Sequence, residues 1–167
     1  LASIKGAADI VMDVHLMIEE PIRYVEAFHK AGADILNVHY EACEDVQATL
    51  DAIHKCGMKA GLTIKPATPV EVLKPYLDQA ELFLIMSVEP GKGGQSFIPE
   101  SLDKIRELRG LLNEKGLTAD VEVDGGIHLG NAKEVLESGA NVLVAGSAVF
   151  KQKDRAQAIM NLRKIDA

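Results

Sequence analysis

Four short runs of residues in this chain could carry chemistry. Asp13-Val14-His15-Leu16-Met17 puts an acid, an imidazole and a thioether at alternate positions. In an extended strand those three share one face and Val14 and Leu16 the other. Alone, a strand-end histidine is more often a hydrogen-bonded structural residue. Pro90-Gly91-Lys92-Gly93-Gly94-Gln95 has three glycines in four positions, which lets backbone approach a ligand closely and turns N–H groups toward an anion; a plain surface loop is the competing reading. Val123-Asp124-Gly125-Gly126-Ile127 ends an apolar run on a carboxylate. Such an acid must be solvated, paired or metal-bound, because an unpaired buried carboxylate is costly; an Asp-Gly turn is the simpler alternative. Ala145-Gly146-Ser147-Ala148 feeds a strand end into a short helix, and its amides with the Ser147 hydroxyl suit a phosphate.

These runs need elements to position them. Short apolar segments near Ile10–Met17, Ile35–Tyr40, Ala60–Ile64, Leu82–Ser87, Val121–Val123 and Val142–Ala145 read as strands. Several are apolar on both faces, as buried parallel strands are. Between them lie helical stripes: Ile22, Val25 and Phe28; Val46, Leu50 and Ile53; and Leu102, Ile105, Leu108 and Leu112. Gly32, Gly57, Gly116 and Gly139 stand where helices should stop, and Pro21, Pro69 and Pro99 near where they should start. The strands from Ile10, Ile35, Ala60 and Leu82 begin about 22 to 25 residues apart, and the interval from Leu82 to Val121 is lengthened to 39 by the glycine-rich loop. Alternating strands and helices mean a parallel sheet with helical crossovers, and an enlarged loop at a strand's C-terminal end is where barrel enzymes place ligands. All four runs then fall on one rim. The expected fold is a (βα)8 TIM barrel of which about six of the eight βα units are present, forming one domain over residues 1–167; a doubly wound open sheet is the alternative.

Composition narrows the partners. The net charge of −7 over 167 residues argues against a nucleic-acid surface. It leaves a phosphorylated small substrate open, since backbone amides hold phosphate without net charge. No apolar run approaches a membrane span. Cys43 and Cys56 have no metal-type spacing and read as free thiols in a reducing compartment. A cytoplasmic protein is expected, with self-association into a homo-oligomer left open.

Taken together, Asp13-Val-His-Leu-Met17, Ser87-Val-Glu-Pro-Gly-Lys-Gly-Gly-Gln95, Glu122-Val-Asp-Gly-Gly126 and Val144-Ala-Gly-Ser147 resemble ribulose-phosphate 3-epimerase along nearly the whole chain. The resemblance implies interconversion of D-ribulose 5-phosphate and D-xylulose 5-phosphate by metal-assisted proton transfer at C3. It implies one divalent ion (zinc, iron(II), manganese or cobalt) held by two histidines and two aspartates, with the aspartates facing each other across the substrate. His15 would be one metal ligand and also touch substrate. Asp124 would be a metal ligand, a substrate contact and the acid on one face. Gly91, Lys92, Gly93, Gly94, Gly125, Gly126, Gly146 and Ser147 would cradle the sugar phosphate, and Met17 and Met86 would line the pocket.

Two departures from the family's pattern stand out. The amino-terminal segment that should bring a serine, a second histidine and the other aspartate is not in this sequence, and His39 and Glu41 do not match its motifs. Lys92 stands where the family usually has an aromatic residue. The expectation is therefore an epimerase chain lacking its first two βα units and inactive by itself. A hexulose-phosphate (allulose 6-phosphate) 3-epimerase and an inactive phosphate-binding fragment are the alternatives.

Overall fold

The computed structural model of the protein describes residues 1–91 and 94–165. Its strands are β1 (Asp13–Leu16), β2 (Ile35–His39), β3 (Lys59–Ile64), β4 (Leu82–Met86), β5 (Asp120–Asp124) and β6 (Val142–Val144). All pair in parallel, in the order in which they occur along the chain, so the sheet curves through a half-barrel with β1 and β6 at its edges. The helices are α1 (Ala2–Lys5), α2 (Val25–Lys30), α3 (Val46–Lys55), α4 (Ser101–Glu114), α5 (Ala132–Glu137), α6 (Ser147–Phe150) and α7 (Arg155–Arg163). Three 3₁₀ helices join them: Pro21–Tyr24, Tyr40–Ala42 and Val70–Tyr76.

The alternation of side chains along each strand divides the sheet into two unlike faces. Outward, Leu36, Val38, Leu62, Ile64, Phe83, Ile85, Val121 and Val123 pack with Leu50, Ile53, Ile105 and Leu108 of the helices as one buried core. Inward, a small apolar group of Leu82, Leu84, Met86 and Val88 forms a separate cluster. Elsewhere the inward positions carry most of the sheet's polar side chains, Asp13, His15, Asn37, His39, Thr63, Glu122 and Asp124, beside the apolar Ile35, Val142 and Val144. The helix–sheet core thus carries the fold, and the inner face is free to carry chemistry. The glycines expected to stop helices do so: Gly32, Gly57, Gly116 and Gly139 all have positive φ, from 65° to 115°.

Three elements differ from expectation. Strand β1 starts at Asp13, not Ile10, and Ile10 and Val11 are exposed. The reason is its neighbour. The Met12 carbonyl accepts from the Asp34 and Ile35 amides where β2 begins, so nothing extends the ladder upstream. The segment after Pro69 is 3₁₀, not α, because Pro75 lies inside it and denies an amide to the i−4 carbonyl. The turn at Pro21–Tyr24 is also 3₁₀, and its tighter winding leaves Ile22 exposed and off the stripe that buries Val25.

Candidate active site

The C-terminal ends of β1 and β5 bring His15 and Asp124 together: His15 Nδ1 lies 3.7 Å from Asp124 Oδ2, with the side chains 15% and 26% exposed. They come from distant parts of the chain, and β1 and β5 are not ladder partners. The contact therefore arises only from curvature of the sheet. Asp124 opens onto a cleft of about 310 Å³ lined also by Met17, Met86, Gly91, Gly94, Gly125, Gly126, Gly146 and Ser147. His15 does not line this cleft; it reaches it through Asp124. Lys92 and Gly93 lie outside the described residues. A larger depression, about 710 Å³, lies against α7 and touches neither Asp124 nor any of these glycine turns.

The turn after β5 is held by the loop after β4. Ser87 N–H donates to the Asp124 carbonyl at 2.9 Å, and the Ser87 hydroxyl lies 2.7 Å from the Gly125 carbonyl. The loop closes on the same serine, whose carbonyl accepts from Ile98 N–H at 2.9 Å. Gly125 and Gly126 have φ of 131° and 65°, and a Cβ on Gly126 would stand 2.3 Å from the Phe97 nitrogen. The two glycines let the loop and the turn interlock beside Asp124.

Beneath this rim, one residue pair lower on each strand, runs a buried polar chain. Thr63 hydroxyl donates to Asn37 Oδ1 at 2.7 Å, and Asn37 Nδ2 donates to Glu122 Oε2 at 3.0 Å. Burial, then the negative charges of Asp13 and Asp124, push the Glu122 carboxyl up to about 8, so it is protonated at neutral pH and partners Asp13. Asp13 is raised too, chiefly by desolvation. Gly61 fits under this chain: a Cβ there would lie 2.6 Å from Asn37 Cγ. Gly61→Ala is expected to lower stability by about 1–3 kcal/mol, the usual cost of overpacking, read as a lower urea midpoint at unchanged slope. A midpoint equal to the parent's would show that Asn37 yields freely.

Sequence reasoning singled out Asp13 but missed Glu122, Asn37 and Thr63. The signal was available: these residues are the inward partners, two positions back, of Asp124 and His39 and one strand beyond, polar where a buried strand should be apolar. Comparison with known proteins settles the family. The model of the Ribulose-phosphate 3 epimerase family matches residues 1–150. The chain belongs to the ribulose-phosphate 3-epimerase family. It is 49% identical over 162 residues to the ribulose-phosphate 3-epimerase of Bacillus subtilis, covering 96% of this chain and 75% of that one. It is 53% identical over 154 residues to that of Synechocystis, covering 91% and 67%. Among solved structures, a 3-hexulose-6-phosphate synthase superposes with a TM-score of 0.74 at 21% identity, over 99% of this chain and 79% of that one. KGPDC from Streptococcus mutans gives 0.73 at 17% identity, over 99% and 78%. At such identities these two speak for the barrel-like fold alone.

The family implies a divalent ion, and the donors of this epimerase-family chain can be tested against one. Ligands sharing a zinc-sized ion at about 2.0–2.2 Å lie roughly 3–4 Å from each other, and the His15–Asp124 separation of 3.7 Å falls in that range. An imidazole nitrogen and a carboxylate oxygen are also the right donor types. The pair fits as part of a coordination shell. Among the described residues no third histidine, cysteine or carboxylate joins them.

Proposed function

We propose that the chain serves the interconversion of D-ribulose 5-phosphate and D-xylulose 5-phosphate through an enediolate, as a cytoplasmic isomerase. The observation that carries this reading is the approach of His15 Nδ1 to Asp124 Oδ2, 3.7 Å, at a cleft edged by glycine turns. Asp124 would serve one face of the sugar, taking the C3 proton from one epimer and donating a proton there when the reaction runs from the other, with the exchange on the opposite face left to a second acid. The Ser87 bonds hold its turn so that the carboxylate keeps one direction. Gly126, Gly146 and Ser147 on the cleft wall suit the phosphate end, where backbone amides serve without added charge. Met17 and Met86 offer apolar surface with no acidic proton to compete for the enediolate. Zinc, iron(II), manganese or cobalt, when bound, supplies Lewis-acid stabilisation at the sugar oxygens. No helix among the described residues is long and apolar enough to cross a membrane.

Inversion needs an acid on each face; of the two carboxylates that line the cleft, Asp124 and Glu89, Asp124 is the one that approaches His15 among the described residues. The 167-residue polypeptide alone is therefore expected to bind but not to interconvert the two sugars. Turnover by polypeptide free of host enzyme, measured by a coupled assay, would overturn the second half of that statement. Binding is read separately. Xylulose 5-phosphate should shift the amide signals of Gly94, Gly126 and Ser147 in NMR spectra, and xylulose without its phosphate should not. If the two sugars act alike, the phosphate cradle, and with it the proposed function, is wrong.

A further inference from the structure

His39 and Glu41 match none of the family's ligand motifs, and neither lines the cleft. They nevertheless continue the line that starts at Asp124. His15 Nε2 lies 2.9 Å from His39 Nε2, and His39 Nδ1 lies 3.4 Å from Glu41 Oε2. The other Glu41 oxygen accepts from Lys65 N–H at 2.8 Å and from the Thr68 hydroxyl. Those donors belong to a loop fastened from behind: the Lys104 ammonium lies 2.9, 3.0 and 2.5 Å from the carbonyls of Lys65, Pro66 and Thr68. His39 itself is 3% exposed, so water does not compete for its ring.

The proton positions follow from this order of contacts. Burial would raise the Glu41 carboxyl, but bonds from His39, Lys65 and Thr68 outweigh it and hold the group at about 2, ionised. An ionised carboxylate only accepts. The nitrogen facing it, His39 Nδ1, therefore carries hydrogen, and in a neutral ring His39 Nε2 is then bare. A 2.9 Å contact between two ring nitrogens holds one proton. That proton belongs to His15 Nε2, which leaves His15 Nδ1 bare and aimed at Asp124. The reverse order would point His15 Nδ1–H at Asp124 across 3.7 Å, too long for a hydrogen bond.

We infer that Glu41 and His39 are positioning residues that lock His15 in its Nε2–H tautomer, so that its Nδ1 lone pair is presented, beside Asp124, to a divalent cation. Metal-binding histidines commonly pass their second N–H to a fixed acceptor. Here that acceptor is another imidazole, itself fixed by a carboxylate. The inference rests on the metal reading of the proposed function.

The test begins with the metal-free protein labelled with ¹⁵N-histidine, at a pH of about 8 where ordinary imidazoles are neutral. Long-range ¹H–¹⁵N spectra should show hydrogen on Nε2 of His15 and on Nδ1 of His39. Hydrogen on His15 Nδ1 would overturn the inference whatever any variant does. Zinc affinity is then measured by competition with a chromophoric chelator. His39→Leu and Glu41→Ala should each weaken it about 10- to 100-fold, the usual effect of losing such a support. His39→Gln, whose amide oxygen can take the place of the bare Nε2, should restore most of it. Parent-like zinc binding in folded His39→Leu would refute the positioning role. If zinc leaves the parent's His15 Nδ1 signal unmoved, the metal reading fails too, a result distinct from a wrong tautomer in the metal-free spectrum.

Discussion

Alanine at Gly126 is expected to lower stability by about 2–5 kcal/mol and to abolish sugar-phosphate binding. Two effects add at this position. A φ of 65° lies in the left-handed region, where a side chain costs about 1–2 kcal/mol. The added Cβ would also meet the Phe97 nitrogen at 2.3 Å and its Cα at 2.8 Å. Those are backbone atoms, so no rotamer change relieves the contact. The loop must move, and it is tied at both ends to Ser87, which also orients the turn carrying Asp124. Gly94 supplies the control. Its φ is 75°, but nothing lies within 4 Å of its would-be Cβ. Gly94→Ala should therefore show the conformational cost alone, about 1–2 kcal/mol. Thermal or urea unfolding of the two variants decides the matter. If Gly126→Ala is no worse than Gly94→Ala, the interlock of loop and turn does not exist.

This interlock marks the border of what the sequence makes legible. The strand cores were readable from their buried outward residues, and β4 most of all because it is apolar on both faces. Leu82–Met86 is buried at every position, and an apolar run of that length, too short for a helix and followed by Pro90 and Gly91, has few other readings. The rim residues were readable because polar groups at the end of such a run need a reason, and His15 and Asp124 do meet. The glycines were readable only as permission for close approach. What approaches Gly126 is Phe97, on the same chain, and no periodicity foretells that. The start of β1 was misplaced because Ile10 and Val11 look like strand, yet pairing is granted by β2, which begins at Ile35. His39 and Glu41 were visible but without a role. Their meaning lies in a contact between rings on two strands, and local sequence carries no distance between strands.

The largest pH effect is expected from Glu122, whose sign follows from the direction of its shift. Its carboxyl is raised from 4.5 to about 8, mainly by burial and then by Asp13 and Asp124. The folded protein therefore holds this proton more tightly than the unfolded chain. Its favourable contribution is complete below pH 4.5 and is lost as pH rises toward 8. At about 1.4 kcal/mol per tenfold change in proton affinity, the loss reaches at most about 5 kcal/mol. Glutamine copies the protonated form. Its carbonyl can accept from Asn37, as Glu122 Oε2 does at 3.0 Å, and its amide can donate toward Asp13. In metal-free protein, Glu122→Gln should match the parent near pH 5 and exceed it by a few kcal/mol near pH 8.5. Urea unfolding of both proteins at both pH values isolates Glu122 together with the Asp13 carboxyl that partners it, because titrations away from this site are common to the pair. A constant difference across the two would mean that Glu122 is ionised in the fold. Asn37 would then be stabilising a buried charge, and the polar chain under the rim would be a salt-like network in place of a neutral one.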